Sequence, residues 1–183
     1  MDEVFQLAEL LHQRNIIERQ ISEVIQRPAT QGHIGEYIAS KILGIDLSKT
    51  ANTNAIDGWF SNDQLSGKSV NIKFYSKQDG LLAIKAELQP DYFLILTGPL
   101  SPPGSSKGKT HACVIDHIYL FDGKKLAEAL NTRGTKFSVA TSVPKKIWEE
   151  AEIYPVQRNM ELIVSETQRN ILTTFGSKIN TGG

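Results

Sequence analysis

The run "DYFLILTG", residues 91 to 98, constrains the fold more than any other stretch of the chain. Its aromatic and branched residues follow one another without a polar alternate. A strand of that kind has no face to give to water, so it reads as a buried strand. "HACVIDHIYLF" reads as another strand, turning at "DGKK" into the helix "KLAEALN". Upstream, "NAIDGWF" and "SVNIKFYSK" are strand-like, and "SNDQLSGK" between them has turn chemistry. Residues 2 to 26 carry helical periodicity: Val4, Leu7, Leu11 and then Ile17, Ile21, Val24, with Asn15 able to cap a second helix and Pro28 ending the pattern. "TQGHIGEYIASKILGIDL" predicts another helix. Gly32 and Gly35 suit a closely packed entry, Ile34, Ile38 and Ile42 mark one face, and Gly44 is its stop. "DGLLAIKAELQ" reads as a short helix ended before Pro90, and "SVPKKIWEEAE" as a small helix opened by Pro144. The order implies an α/β fold, a central mixed sheet flanked by helices.

A length of 183 residues suits one compact domain. Within it, residues 1–27 read as an N-terminal helical segment, 28–157 as the core and 158–183 as a C-terminal extension. Lys plus Arg and Asp plus Glu number 20 each, so the net charge of zero excludes a basic coat for nonspecific nucleic-acid binding. A local basic patch remains compatible with that total. The single cysteine, Cys113, excludes an intrachain disulfide and a cysteine-rich zinc site, and its apolar surroundings predict a buried, inert thiol. The first residues lack a basic segment with a cleavage site, and no apolar run approaches a membrane span. A cytoplasmic protein with no membrane partner is the expectation.

Asn71 and Lys73 stand two apart on a strand and project to the same side, with Ile72 on the other. Asp57, on the neighbouring strand, can reach that side if the hairpin register allows. Glu36, on the preceding helix, can supply a second carboxylate. Phosphodiester cleavage uses such a set: hard oxygen ligands for a divalent ion that keeps several waters, and a lysine that orients water and stabilises developing charge. Each residue also has a plainer role. Asp57 before Gly58 suits a turn, Lys73 a solvated strand position, Asn71 an edge hydrogen bond, and Glu36 the first turn of a helix.

"HIGEYIASKILGIDL" followed by "NAIDGWF" and "VNIKFYS" resembles the restriction-endonuclease-like, or PD-(D/E)xK, superfamily, and within it a bacterial branch with a Gln-x-Lys or Glu-x-Lys strand. The match covers residues 32 to 77; downstream only the order of strands and helices agrees. The resemblance implies a restriction-endonuclease-like core with an N-terminal helical addition. It implies Glu36, Asp57, Asn71 and Lys73 as the catalytic set, with Asp57, Asn71 and Glu36 holding Mg²⁺ or Mn²⁺ and Lys73 as the catalytic lysine. DNA is the implied partner, a homodimer a compatible assembly, and endonuclease action in restriction or mobile-element defence the implied function. Asn71 departs from the pattern. It stands where the family has a second carboxylate or Gln, it is neutral, and it is one methylene shorter than Glu or Gln.

Lys107 and Lys109 in "SSKGKTH" are candidates for gripping a phosphate backbone, and His33 for a phosphate contact or a helix cap. The same loop lacks P-loop spacing, so nucleotide binding there is rejected. His111 and His117 read as structural, and Trp59 as a core or interface residue. Two further readings stay open. One is a catalytically inactive nuclease fold that binds nucleic acid or a protein. The other is a scaffold that uses helix 2–26 as an oligomerisation surface.

Overall fold

A computed structural model describes residues 2–49, 56–84, 90–101, 113–135, 137–138 and 140–177. Helix α1 (Asp2–Ile25) is one continuous helix; Asn15 does not divide it. Only Ile25 of α1 is buried, so this helix is held to the body at its C-terminal end.

Helix α2 (Gln31–Leu43) starts at Thr30, whose side chain accepts from the His33 backbone N–H, and stops at Gly44, whose φ of 67° is the left-handed cap that glycine adopts without strain. Ile38, Ala39, Ile42 and Leu43 are its buried stripe. Gly35 is required by close packing, because a Cβ there would stand 2.8 Å from Cβ of Phe74. Gly32 has open space around it.

Strands β1 (Ile45–Leu47), β2 (Gly58–Phe60), β3 (Ser69–Tyr75), β5 (Tyr92–Thr97), β6 (His117–Asp122) and β8 (Glu152–Tyr154) form one sheet in the order β1-β2-β3-β5-β6-β8. β3 and β5 are parallel, with Val70 opposite Tyr92 and Lys73 opposite Ile95; the other neighbours are antiparallel. The sheet is therefore mixed, as expected. A small second pair joins β4 (Leu81–Leu82) to β7 (Thr141–Ser142).

The continuous apolar character of β5 now has its cause. Leu94 and Leu96 face one hydrophobic cluster with α2, while Phe93 and Ile95 face a second with helices α3 (Gly123–Thr132) and α4 (Lys145–Ala151). Helix α5 (Glu166–Thr173), in a tail whose pattern carries no clear element, is opened by a capping box of Ser165 and Gln168 and sends Leu172 into the first cluster.

Three expectations need correction. "DGLLAIKAELQ" is not a helix where it is described: Leu81–Leu82 is a strand paired to β7, because Leu82 is worth more buried in the second cluster than helix propensity is locally. The strand expected to start near His111 starts at His117, since Cys113 has a φ of 61°, outside the strand region. Asp57 is not within a strand but directly precedes β2.

Candidate active site

β2 pairs with β3 only at Gly58 opposite Val70 and Trp59 opposite Ser69. Beyond that point no described strand pairs with the β2-side edge of β3, and Asp57 stands in the fork. Its backbone is anchored on both sides: its N–H donates to Val70 O at 2.9 Å, and its carbonyl accepts from the Ser48 N–H at 2.8 Å. The Ile72 N–H, which a longer β2 would have paired, donates to Asp57 Oδ2 at 2.6 Å. A carboxylate thus takes the place of a strand and is aimed along the open edge.

Asn71 Nδ2 donates to the same Oδ2 at 3.0 Å, so the two residues meet as the spacing suggests. Asn71 is only 5% exposed, whereas Lys73, the next residue on its face, is half-buried. α2 packs against the alternate face of β3, that of Val70, Ile72 and Phe74. Glu36 therefore comes from the other side of the sheet, and the set gathers around an edge rather than on one face. The approach is close enough to be felt electrostatically. Burial pushes the Asp57 carboxyl up from its ordinary range and the Glu36 charge adds to the rise; the Ile72 N–H and the charges of Lys73 and Arg27 oppose it.

Arg27 is the participant that the sequence reading missed. It follows α1, pairs through its guanidinium with Glu36, and acts on Asp57 as well. A single arginine before Pro28 carries no spacing signal toward a carboxylate nine residues on; only the turn from α1 into α2 joins them.

The donor chemistry fits a hard divalent cation at its minimum: the Asp57 and Glu36 carboxylates, with the Asn71 amide oxygen as a neutral third group. Among the described residues no three His, Cys, Asp or Glu side chains converge. The Glu36 charge raises the Asp57 carboxyl, and such a cation would relieve that repulsion.

The remaining candidates lie elsewhere. The ring Nδ1 of His33 donates to Pro28 O at 2.9 Å, which ties the ring to the entry of α2 as a cap. Lys107, Lys109 and His111 lie outside the described residues. His117 Nδ1 is 2.9 Å from Glu152 Oε1, and Arg158 Nε is 3.1 Å from Glu152 Oε2, a structural arrangement at the far edge of the sheet. Trp59 is not core: it is 39% exposed. Cys113 is half-buried rather than fully buried, and burial pushes its thiol up. Searches of protein-family models and of curated proteins found no match to this chain. No helix among the described residues is long and apolar enough to cross a membrane.

Proposed function

We propose that the fork at Asp57 is a divalent-cation-dependent site for phosphodiester hydrolysis in DNA, on a restriction-endonuclease-like core. The observation that carries the reading is the gathering of Asp57, Asn71, Lys73 and Glu36 at one open strand edge, with Asp57 held by the Ile72 N–H. Asp57 and Glu36 would hold Mg²⁺ or Mn²⁺, with the Asn71 oxygen as a neutral third donor. When bound, the ion polarises the phosphate and lowers the pKa of its water. Asp57 is fixed by two backbone hydrogen bonds and the Ile72 N–H, so its carboxylate needs no reorganisation to act. Lys73 brings a positive charge to the edge, suited to orienting the attacking water and to stabilising charge that builds on the phosphate. Arg27, beside Glu36, is a second cation at the same edge and a natural contact for a backbone phosphate.

A rival reading, an inactive nuclease fold that binds nucleic acid or a protein, draws on a specific feature. Both carboxylates already have internal partners, Asp57 the Asn71 amide and Glu36 the Arg27 guanidinium. Nicking of supercoiled plasmid with Mg²⁺, with Mn²⁺ and with EDTA separates the two. The nuclease reading expects metal-dependent nicking that Lys73→Ala and Asp57→Ala each reduce by about 100-fold or more. Cleavage indifferent to EDTA or to Lys73 rejects it, and no cleavage under any condition leaves the binding module.

A further inference from the structure

Helix α1 exposes apolar side chains along its length: besides Val4, Phe5 and Ile16, which stand outside the series that follows, Leu7, Leu10, Ile17 and Val24 are each more than half exposed. These four belong to a regular series. Leu7, Leu10, Arg14, Ile17, Ile21 and Val24 follow one another at alternating steps of three and four, the repeat of a coiled-coil seam. The series is its own mirror image. Read from its two ends, Leu7 answers Val24, Leu10 answers Ile21, and Arg14 answers Ile17. In an antiparallel pair each seam position of one helix meets a seam position of the other, which this symmetry provides.

Charge selects the same direction. Residues 2 to 13 carry Asp2, Glu3 and Glu9 and no Lys or Arg, whereas in residues 14 to 25 Arg14 and Arg19 balance Glu18 and Glu23. A parallel pair would set the three acids of each copy against those of the other. An antiparallel pair sets them against the charge-balanced half and removes that repulsion. The positions flanking the seam on one side are Gln6, Gln13 and Gln20, which add no repulsion. The body leaves room for the second helix. A groove of about 880 Å³ runs between the C-terminal half of α1 and the entry of α2, lined among others by Arg14, Glu18, Arg19, Ile21, Thr30 and Ile34. In the antiparallel arrangement this groove receives the acidic, apolar N-terminal half of the other α1.

We propose that α1 is the dimerisation element of this protein and pairs antiparallel with α1 of a second copy, Leu7 against Val24 and Leu10 against Ile21. A helix of 24 residues is about 36 Å long. Two of them interleaved along this seam close on the order of 1,000 Å² or more, the area that a specific interface needs. Arg14 sits in the seam beside Ile17 of the other copy and near its Glu18. Within one copy Arg14 Nε already lies 2.7 Å from Glu18 Oε1, so the ion pair can be kept across the interface. A polar residue at one seam position sets register at a cost in affinity. This inference is independent of the chemistry at Asp57.

The test uses the full chain in sedimentation velocity. The wild type sediments as a dimer, and Leu10→Glu with Ile17→Glu weakens it by about 100-fold or more, because two charges per helix enter the seam. Both substitutions are at exposed positions, so the circular dichroism spectrum stays that of the wild type. Arg14→Leu strengthens the dimer by about tenfold. Direction is read in a Cys113→Ser background. On mild oxidation, a mixture of the Leu7→Cys and Val24→Cys proteins cross-links at least about tenfold faster than either alone, since only the antiparallel pair brings these positions together. A monomeric wild type, whatever other protein it captures, overturns the proposal. So does a dimer indifferent to the two glutamates, and so does rapid cross-linking of Leu7→Cys to itself, which marks a parallel pair.

Discussion

At the scale of single residues, Asp57 pits burial against its own charge. Burial is the largest influence on its carboxyl and the folded protein binds its proton more tightly than the unfolded chain does. Where the folded state holds the extra proton, stability falls as pH rises, so Asp57 costs stability from the ordinary carboxylate range upward. Asp57→Asn keeps an oxygen for the Ile72 N–H and removes the charge. The expected outcome is a higher melting temperature than the wild type at pH 8, a difference that shrinks at pH 4, and loss of any cleavage. A variant less stable than the wild type at pH 8 would show that the pull of Lys73 and Arg27 outweighs burial. Asn71→Glu makes the opposite change. It deletes the amide donor to Asp57 and leaves two carboxylates sharing a buried site, which costs about 1–3 kcal/mol without metal. Mg²⁺ should restore most of that loss and raise cleavage; thermal scans with and without the ion read it. A melting temperature unmoved by Mg²⁺ would remove residue 71 from the metal's surroundings.

At the scale of elements, the site depends on how closely α2 lies on β3. That approach brings Glu36 toward Asp57, and Gly35 permits it. Gly35→Ala would drive a methyl into Phe74, at 2.8 Å, and neither partner is the loose end of a side chain. The expected cost is about 1–3 kcal/mol by denaturant unfolding, with a drop in cation affinity as α2 is pushed out. Ser165→Ala tests a different junction. It removes half of the capping box that starts α5 and should cost about 1 kcal/mol, without altering the site. Several of these elements were legible in the sequence. Helix α2, its Gly44 stop and the buried strand β5 follow from local periodicity and cap chemistry. α5 was not, because its eight residues give only about two turns of pattern and its start signal, Ser165 with Gln168, sits in a polar run. β4 was not, because two residues of strand are chosen by what they bury.

At the scale of the whole molecule, α1 stands apart from the packing that holds the rest together. Its only buried residue is Ile25. Deleting residues 2–13 should therefore change the unfolding free energy of the core by less than about 1 kcal/mol in chemical denaturation at low protein concentration, where assembly does not contribute. A larger loss would mean that the N-terminal half of α1 supports the fold in a way its exposure does not suggest. By itself the sequence determined the class of the molecule, an α/β chain with a mixed sheet between helices, because periodicity, turn residues and caps are local properties of the chain. It also put Asn71 and Lys73 on one side of β3, since residues two apart on a strand share a face wherever that strand ends up, whereas Glu36 and Asp57 were named through the resemblance. What only the tertiary structure decided is how those side chains meet. β2 stops short, so Asp57 replaces a strand at the edge of β3. Glu36 reaches that edge from the opposite face, over a helix that Gly35 lets down onto Phe74. Arg27 enters because the chain turns back at Pro28. None of these follows from spacing, because the register of β2 on β3 and the seating of α2 are settled by contacts between residues distant in sequence.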